Sequence, residues 1–434
     1  MKRKVSVVRA VLLVLLLVSY AWSADVDKTL YFPHVASDGV WDTDICLVNP
    51  GNSEVAVKLY AFDDDGISLG SALDVTLPAH GRYELIVSVA FTQAKSIKYM
   101  TAVSQSAELV GYLKFYVNNK YRVALPAVYA NNYGVMYVPH VASDSSWWTG
   151  LGLVNTTINA KTVNISFSDG QQTSVVIPAY GHKAFTVRSL FGGQPQPQIN
   201  SAIIESGTGI VGLQLFGSGD QLSGCKLQSS TAGSLYFPHL VNDSKWWTGI
   251  AAYNTGGDNV TVEIFPYSAD GTILGYSKMM MNSREKYIGL VSALNLPPGT
   301  AWFRMQASAG LTGLELFGTS DKKELAGYSC VNIDKISGVF PKFNQDGWTG
   351  IAFVNTSPSS TTVVLKAYRD DGVLISTANI SLGGHCKVVK YAPDFYDDDI
   401  SGANYLSFSS STPIVGFQLN GSIDETMLDA LPGM

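Results

Sequence analysis

The chain has 434 residues, 46% of them hydrophobic and only 15% charged, with 41 glycines and 22 tyrosines. Soluble domains usually carry about 25% charged residues, so this is the composition of an extracellular β-protein rich in aromatic and small polar side chains. A net charge of −6 over that length argues against nucleic acid as a partner, because such binding needs a basic patch to displace counterions.

Lys2, Arg3, Lys4 and Arg9 precede the apolar run Val11 to Val18, and Ala21 and Ser23 then stand at the −3 and −1 positions of a small-residue cleavage site. Residues 1–23 are therefore expected to be a signal peptide, giving an exported chain that is secreted, periplasmic or held at the cell surface. The run is shorter than the ~20 residues a membrane span needs, and no later run is long and apolar enough to cross a bilayer. Cys46, Cys225, Cys330 and Cys386 fall at different places in the repeat described next, so no disulfide framework repeats with it.

From Tyr31 the chain reads "YFPHVASDGVWDTDICLVN". Much the same string returns at Tyr137 and Tyr236, and in eroded form at Val339. A repeat of roughly 100 residues has the size of an independent domain, not of a solenoid turn of ~20–50 residues. The strings at 54–62, 162–167, 259–265 and 362–368 alternate as half-buried strands do. Each runs into an Asp-Gly turn (Asp65-Gly66, Asp169-Gly170, Asp270-Gly271, Asp371-Gly372), the strongest short hairpin signal. Further strands are predicted at 110–115, 211–216, 312–317 and 415–420. Each is followed by a closing strand, at 122–126, 222–227, 324–329 and 428–432. Single helical turns fit 187–193 and 289–296. The fold class expected is all-β: four tandem antiparallel β-sandwich modules of immunoglobulin-like size, at 24–132, 133–232, 233–335 and 336–434, each with its own core. A jelly roll or a small barrel is the alternative topology. Because the fourth closing strand ends the chain, function is expected in the modules, their connectors or their arrangement.

The candidate sites follow the repeat. Trp41, Trp147 and Trp246 align, as do Trp148, Trp247 and Trp348, with Asp42 in the first copy. One tryptophan per module is expected to anchor the core. The second, next to a polar loop, is the candidate ligand-facing ring, so Trp148, Trp247, Asp144 and Asp243 form the candidate ligand-binding set. The six histidines read as two repeat positions, His34, His140 and His239 (Lys342 in the fourth copy) and His80, His182 and His385. Lys342 is no metal ligand at neutral pH, so a structural role is expected, as donors to backbone carbonyls, with no metal and no cofactor. "GTGIVG" at 207–212 imitates a dinucleotide fingerprint but leads into a strand, not a helix. The runs Asp63 to Asp65 and Asp397 to Asp399 lack the spaced acids of a calcium loop and read as solvated turns. No catalytic signature is present. The function expected is non-catalytic: a structural, adhesive or ligand-presenting surface protein whose partners are other surface proteins or polysaccharide. Carbohydrate binding through the tryptophan loops is the alternative, and a secreted hydrolase the weaker one.

Overall fold

The computed structural model describes residues 29–434 apart from 106–108, 119, 131, 132 and 344–346; the expected signal peptide lies outside them. Among the described residues helix is confined to single turns at Val87–Ala90, Ala94–Ser96, Val187–Leu190, Val291–Leu294 and Ala392–Phe395. The strands, joined by turns and loops, pair antiparallel. Among the described residues no helix is long and apolar enough to cross a membrane.

One strand order recurs in four stretches of the chain. In the first, an outer sheet pairs the hairpin Val55–Phe62 and Leu73–Leu77 with Tyr99–Ser104 and the opening strand Thr29–Phe32. An inner sheet pairs Arg82–Ile86, Asp42–Val48, Val110–Val117 and the closing strand Tyr121–Pro126. In the third and fourth stretches a single long strand, Trp302–Thr319 or Tyr405–Ser422, runs through both sheets and joins them. In the second stretch the same path breaks between Ala202–Glu205 and Ile210–Ser218, where Gly207 and Gly209 take positive φ. The "GTGIVG" string thus links two strands that lie in different sheets, a bend and not a hairpin turn, and it leads into a strand instead of a helix.

The string that ends each copy of the motif closes a local clamp. Asn49, Asn155, Asn254 and Asn355 are fully buried, and each side-chain amide donates to two loop carbonyls at 2.7–2.9 Å, as in Asn155 to Asn159 O and Pro178 O. The clamped turns carry His80, Tyr180, Arg284 and His385 at φ 56°, 53°, 59° and 58°. Unpaired, each buried amide would cost ~1–3 kcal/mol, so this asparagine holds the fold.

Burial does not stop at the module boundaries that the spacing predicts. Leu213, Leu215 and Leu222 of the second repeat join the core of the first, and Ala352, Val354, Phe417 and Leu428 of the fourth join that of the third. Phe216 and Cys225 pack with Ala251 and Leu314 across the second junction, and Cys46 and Tyr112 pack with Tyr368 and Tyr405. The last contact joins the first repeat to the fourth. The closing strands complete the circuit: Tyr121–Pro126 packs on Gln221–Lys226, that on Leu325–Ser329, that on Leu428–Pro432, and the last returns to the first. The four repeats form a closed ring.

Three of the four junctions reuse the Asp-Gly hairpin. The carbonyls of Asp64, Ala269 and Asp370 accept the backbone amides of His182, Lys387 and Arg82 in the next repeat at 2.8–2.9 Å. Tyr99, Trp302 and Tyr405 donate from their rings to the carbonyls of Tyr180, His385 and His80 at 2.5–2.9 Å. The second junction has neither bond among the described residues. "FSDG" is one residue shorter than "FDDDG", Ala202 stands at the aromatic position, and nothing lies within 4 Å of a Cβ built on Gly170. The fourth junction adds a buried ion cluster. Asp429 sits between Arg122 of the first repeat and Lys342 of its own. Burial alone would raise its pKa, but Lys342 and Arg122 hold it down at about 2.

Candidate functional site at the repeat junctions

The motif loop is built by its own polar residues. Asp38, Asp144 and Asp243 each accept two backbone amides of the loop through one carboxylate oxygen at 2.7–2.9 Å, including the amides of Trp41, Trp147 and Trp246. Those bonds lower all three pKa values. Thr43, Thr149 and Thr248 fasten the other side, each hydroxyl accepting from and donating to the backbone seven residues earlier at 2.9–3.0 Å. Asp144 and Asp243, candidates for ligand contact, thus hold the first tryptophan in place.

The second tryptophan lies on glycine. Trp148 faces Gly217 across the strand pair and Gly150 two residues along its own strand; Trp247 has Gly318 and Gly249, and Trp348 has Gly421 and Gly350. A Cβ on Gly217 would stand 3.2 Å from Trp148 Nε1, and one on Gly249 3.1 Å from the Trp247 ring. The indole therefore lies close to the sheet, half-buried. In the first repeat all three positions change together, to Asp42, Asp44 and Tyr116. The Asp44 carboxylate pairs with Lys114 there.

The two tryptophans of one repeat serve different junctions. Trp41 of the first repeat and Trp148 of the second line one cleft of about 320 Å³, with His34, Phe115, Phe185 and Leu213. Trp246 and Trp348 line its counterpart between the third and fourth repeats, about 460 Å³, with His239, Phe317, Tyr391 and Phe417. At the second junction Trp147 and Trp247 pack on one apolar cluster. Trp148 and Trp247 are therefore not brought together. Each meets the first tryptophan of the preceding repeat.

The histidines sit behind these clefts, at three repeat positions instead of two. His182 aligns with Arg82, Lys286 and Lys387, two residues beyond the turn position of His80 and His385. This position reaches into the preceding repeat. Lys286 Nζ lies 3.3 Å from His140 Nδ1 and Lys387 Nζ 2.9 Å from His239 Nδ1. His182 stacks on His34, with Nε2 to Nδ1 at 3.2 Å, and its own Nδ1 meets Asp64 at 2.8 Å. At the ring closure Arg82 Nε donates to Pro341 O at 2.7 Å and its guanidinium pairs with Asp370. The motif histidines thus meet basic side chains of the next repeat, not backbone carbonyls. Lys342 meets Asp429 at 2.5 Å. Burial pushes His34 and His239 down to about 3, Lys286 to about 7 and Lys387 to about 8, so both imidazoles are neutral: His239 accepts from Lys387, and His34 donates to the bare Nε2 of His182, whose Nδ1–H meets Asp64.

Asp64, read as part of a solvated turn, is a junction residue; Asp63, by contrast, accepts the amides of Asp65 and Ile67, as a turn aspartate does. A polar cleft of about 430 Å³ opens beside the Asp64–His182–His34 relay, with Lys95, Lys98 and Lys183 on its walls. Among the described residues no group of three or more His, Cys, Asp or Glu is placed to hold a metal ion. The four cysteines are free thiols, three of them buried.

No known protein family matches the chain, and no curated protein matches it. Among solved structures it is similar to Thermotoga maritima 1070, at 11% identity over 23% of this chain and 92% of that one, with a TM-score of 0.20. It is also similar to a tetra-tandem repeat from the extending region of a large adhesion protein, at 11% identity over 89% and 92% of the two chains (TM-score 0.10). A serine-rich repeat protein from Streptococcus agalactiae is 9% identical over 75% and 85% (TM-score 0.13). Likeness at these TM-scores carries no argument about function.

Proposed function

We propose that this is an exported, non-catalytic surface or secreted protein, a ring of β-repeats with a structural, adhesive or ligand-presenting role. The observation that carries this reading is where the reactive side chains are spent. The motif histidines, their basic partners, Asp64 and Asp429 all face neighbouring repeats and tie them together. The Asp64–His182–His34 relay is the strongest candidate for acid–base work, so it supplies the test. Ester, peptide and glycoside reporter substrates should show no turnover above buffer. Turnover that His182→Ala or His34→Ala abolishes would overturn the non-catalytic reading.

Carbohydrate binding is the second reading, supported by one observation: Trp148 and Trp348 lie on backbone glycines while also lining clefts at the first and third junctions. An indole held in this way can stack on a sugar ring, and two clefts on one chain raise avidity. Affinity electrophoresis through polysaccharide gels tests it. Trp148→Ala with Trp348→Ala should abolish retardation while the protein stays folded. Retardation that survives both truncations would exclude the clefts as the sugar sites.

A further inference from the structure

The closing strands meet on the ring axis, and four equivalent positions come together at one end of it. Pro126, Lys226, Ser329 and Pro432 each stand opposite the same repeat position, Tyr112, Leu213, Leu314 and Phe417. All four line a single pit of about 190 Å³, the space of about six waters. The remaining wall is mixed: Leu30, Val331 and Ile333 are apolar, Tyr129 and Asn332 are polar, and Lys335 adds a second cation. Two ammonium groups thus share one pit, with an apolar patch of Leu30, Val331 and Ile333 beside them. Among the described residues neither has an ion pair or hydrogen bond from its side chain, whereas Lys114 and Lys342 each meet an aspartate. A charge held against apolar walls without a counter-ion is costly, and a structural role would be served better by methionine.

We propose that this axial pit is a binding site for a small monocarboxylate, its anionic end between Lys226 and Lys335 and its short apolar body against Leu30, Val331 and Ile333. A carboxylate is favoured over phosphate because its apolar body matches those walls, while a phosphate would leave most of its hydrated surface facing them. Burial lowers both lysine pKa values, that of Lys335 with a further contribution from the charge of Lys226, and an anion between them would reverse that.

The test is calorimetric titration of the whole exported chain with butyrate, and with phosphate at matched ionic strength. Butyrate should bind saturably at one site per chain, with phosphate at least tenfold weaker. Lys226→Met and Lys335→Met should each weaken butyrate at least tenfold, while the exposed Lys323→Met should not. The unliganded Lys226→Met protein should melt no lower than the wild type, since an unpaired, half-buried lysine is replaced by a thioether. No butyrate binding to the wild type, tighter binding of phosphate, or butyrate affinity unchanged in both pit variants would each overturn the proposal.

Discussion

The hairpin glycines give a matched experiment on the ring. Gly66, Gly170, Gly271 and Gly372 all take positive φ, at 79°, 89°, 85° and 80°. Alanine at any of them therefore meets the same left-handed strain, ~1–2 kcal/mol. Their surroundings differ. A Cβ on Gly66 would stand 2.6 Å from Tyr180 O, and Cβ atoms on Gly271 and Gly372 would overlap the backbone of Gly384 and Ala79. These obstacles are backbone atoms of the next repeat, which cannot swing aside, so overpacking adds ~1–3 kcal/mol. Gly170 has nothing within 4 Å of its Cβ. Gly170→Ala should cost ~1–2 kcal/mol and Gly66→Ala, Gly271→Ala and Gly372→Ala ~2–5 kcal/mol each, read from urea midpoints at constant m-value. Equal losses at all four positions would refute turn-on-turn docking.

Glu315 is fully buried at the position occupied by Gln214 and Gln418, with Oε2 accepting from Tyr328 and Oε1 unpartnered. Burial, against smaller lowering contributions from Tyr328 and Lys387, pushes its pKa up to about 8. The folded chain then holds a proton that the unfolded chain releases near 4.5, so this residue's contribution to stability falls as pH rises from there to about 8. Glu315→Gln should be more stable than wild type by ~2–3 kcal/mol at pH 7 and equal to it near pH 4; parallel pH–stability curves would contradict this. The excised segment 133–232 would expose Leu213, Leu215, Phe216 and Cys225, which neighbouring repeats cover. It should keep a β-type circular dichroism spectrum but melt well below the whole chain, and an equal melting temperature would show that the junctions add nothing.

Much of each repeat is legible in its sequence, because the signals are local. Alternation in "TVNISF" and "NVTVEIF" and the Asp-Gly turns mark the hairpins, and Val187 and Val291 begin the helical turns that their segments predict. The ring is not local. Its closing contacts join Arg122 to Asp429 and Arg82 to Asp370, across almost the whole chain. A spacing of about 100 residues fits a string of beads as well as a ring, since it measures the unit and not its neighbours. The signals that did exist lay in the alignment: one basic position shared by Arg82, His182, Lys286 and Lys387, and Trp–Gly–Gly giving way as a set to Asp42, Asp44 and Tyr116. Trp148 does line a cleft, but with Trp41 of the preceding repeat, while Asp144 and Asp243 serve their own loops.

Small-angle X-ray scattering on the chain from residue 24 onward tests the closed ring most directly. A compact body of about 400 residues has a radius of gyration of roughly 22 Å, whereas four units of about 13 Å each set end to end give roughly 40 Å. The closed ring predicts a value close to the first with a single-peaked distance distribution. A value near the second, with a long tail of distances, would show the repeats to be an open string and would contradict the junctions described above.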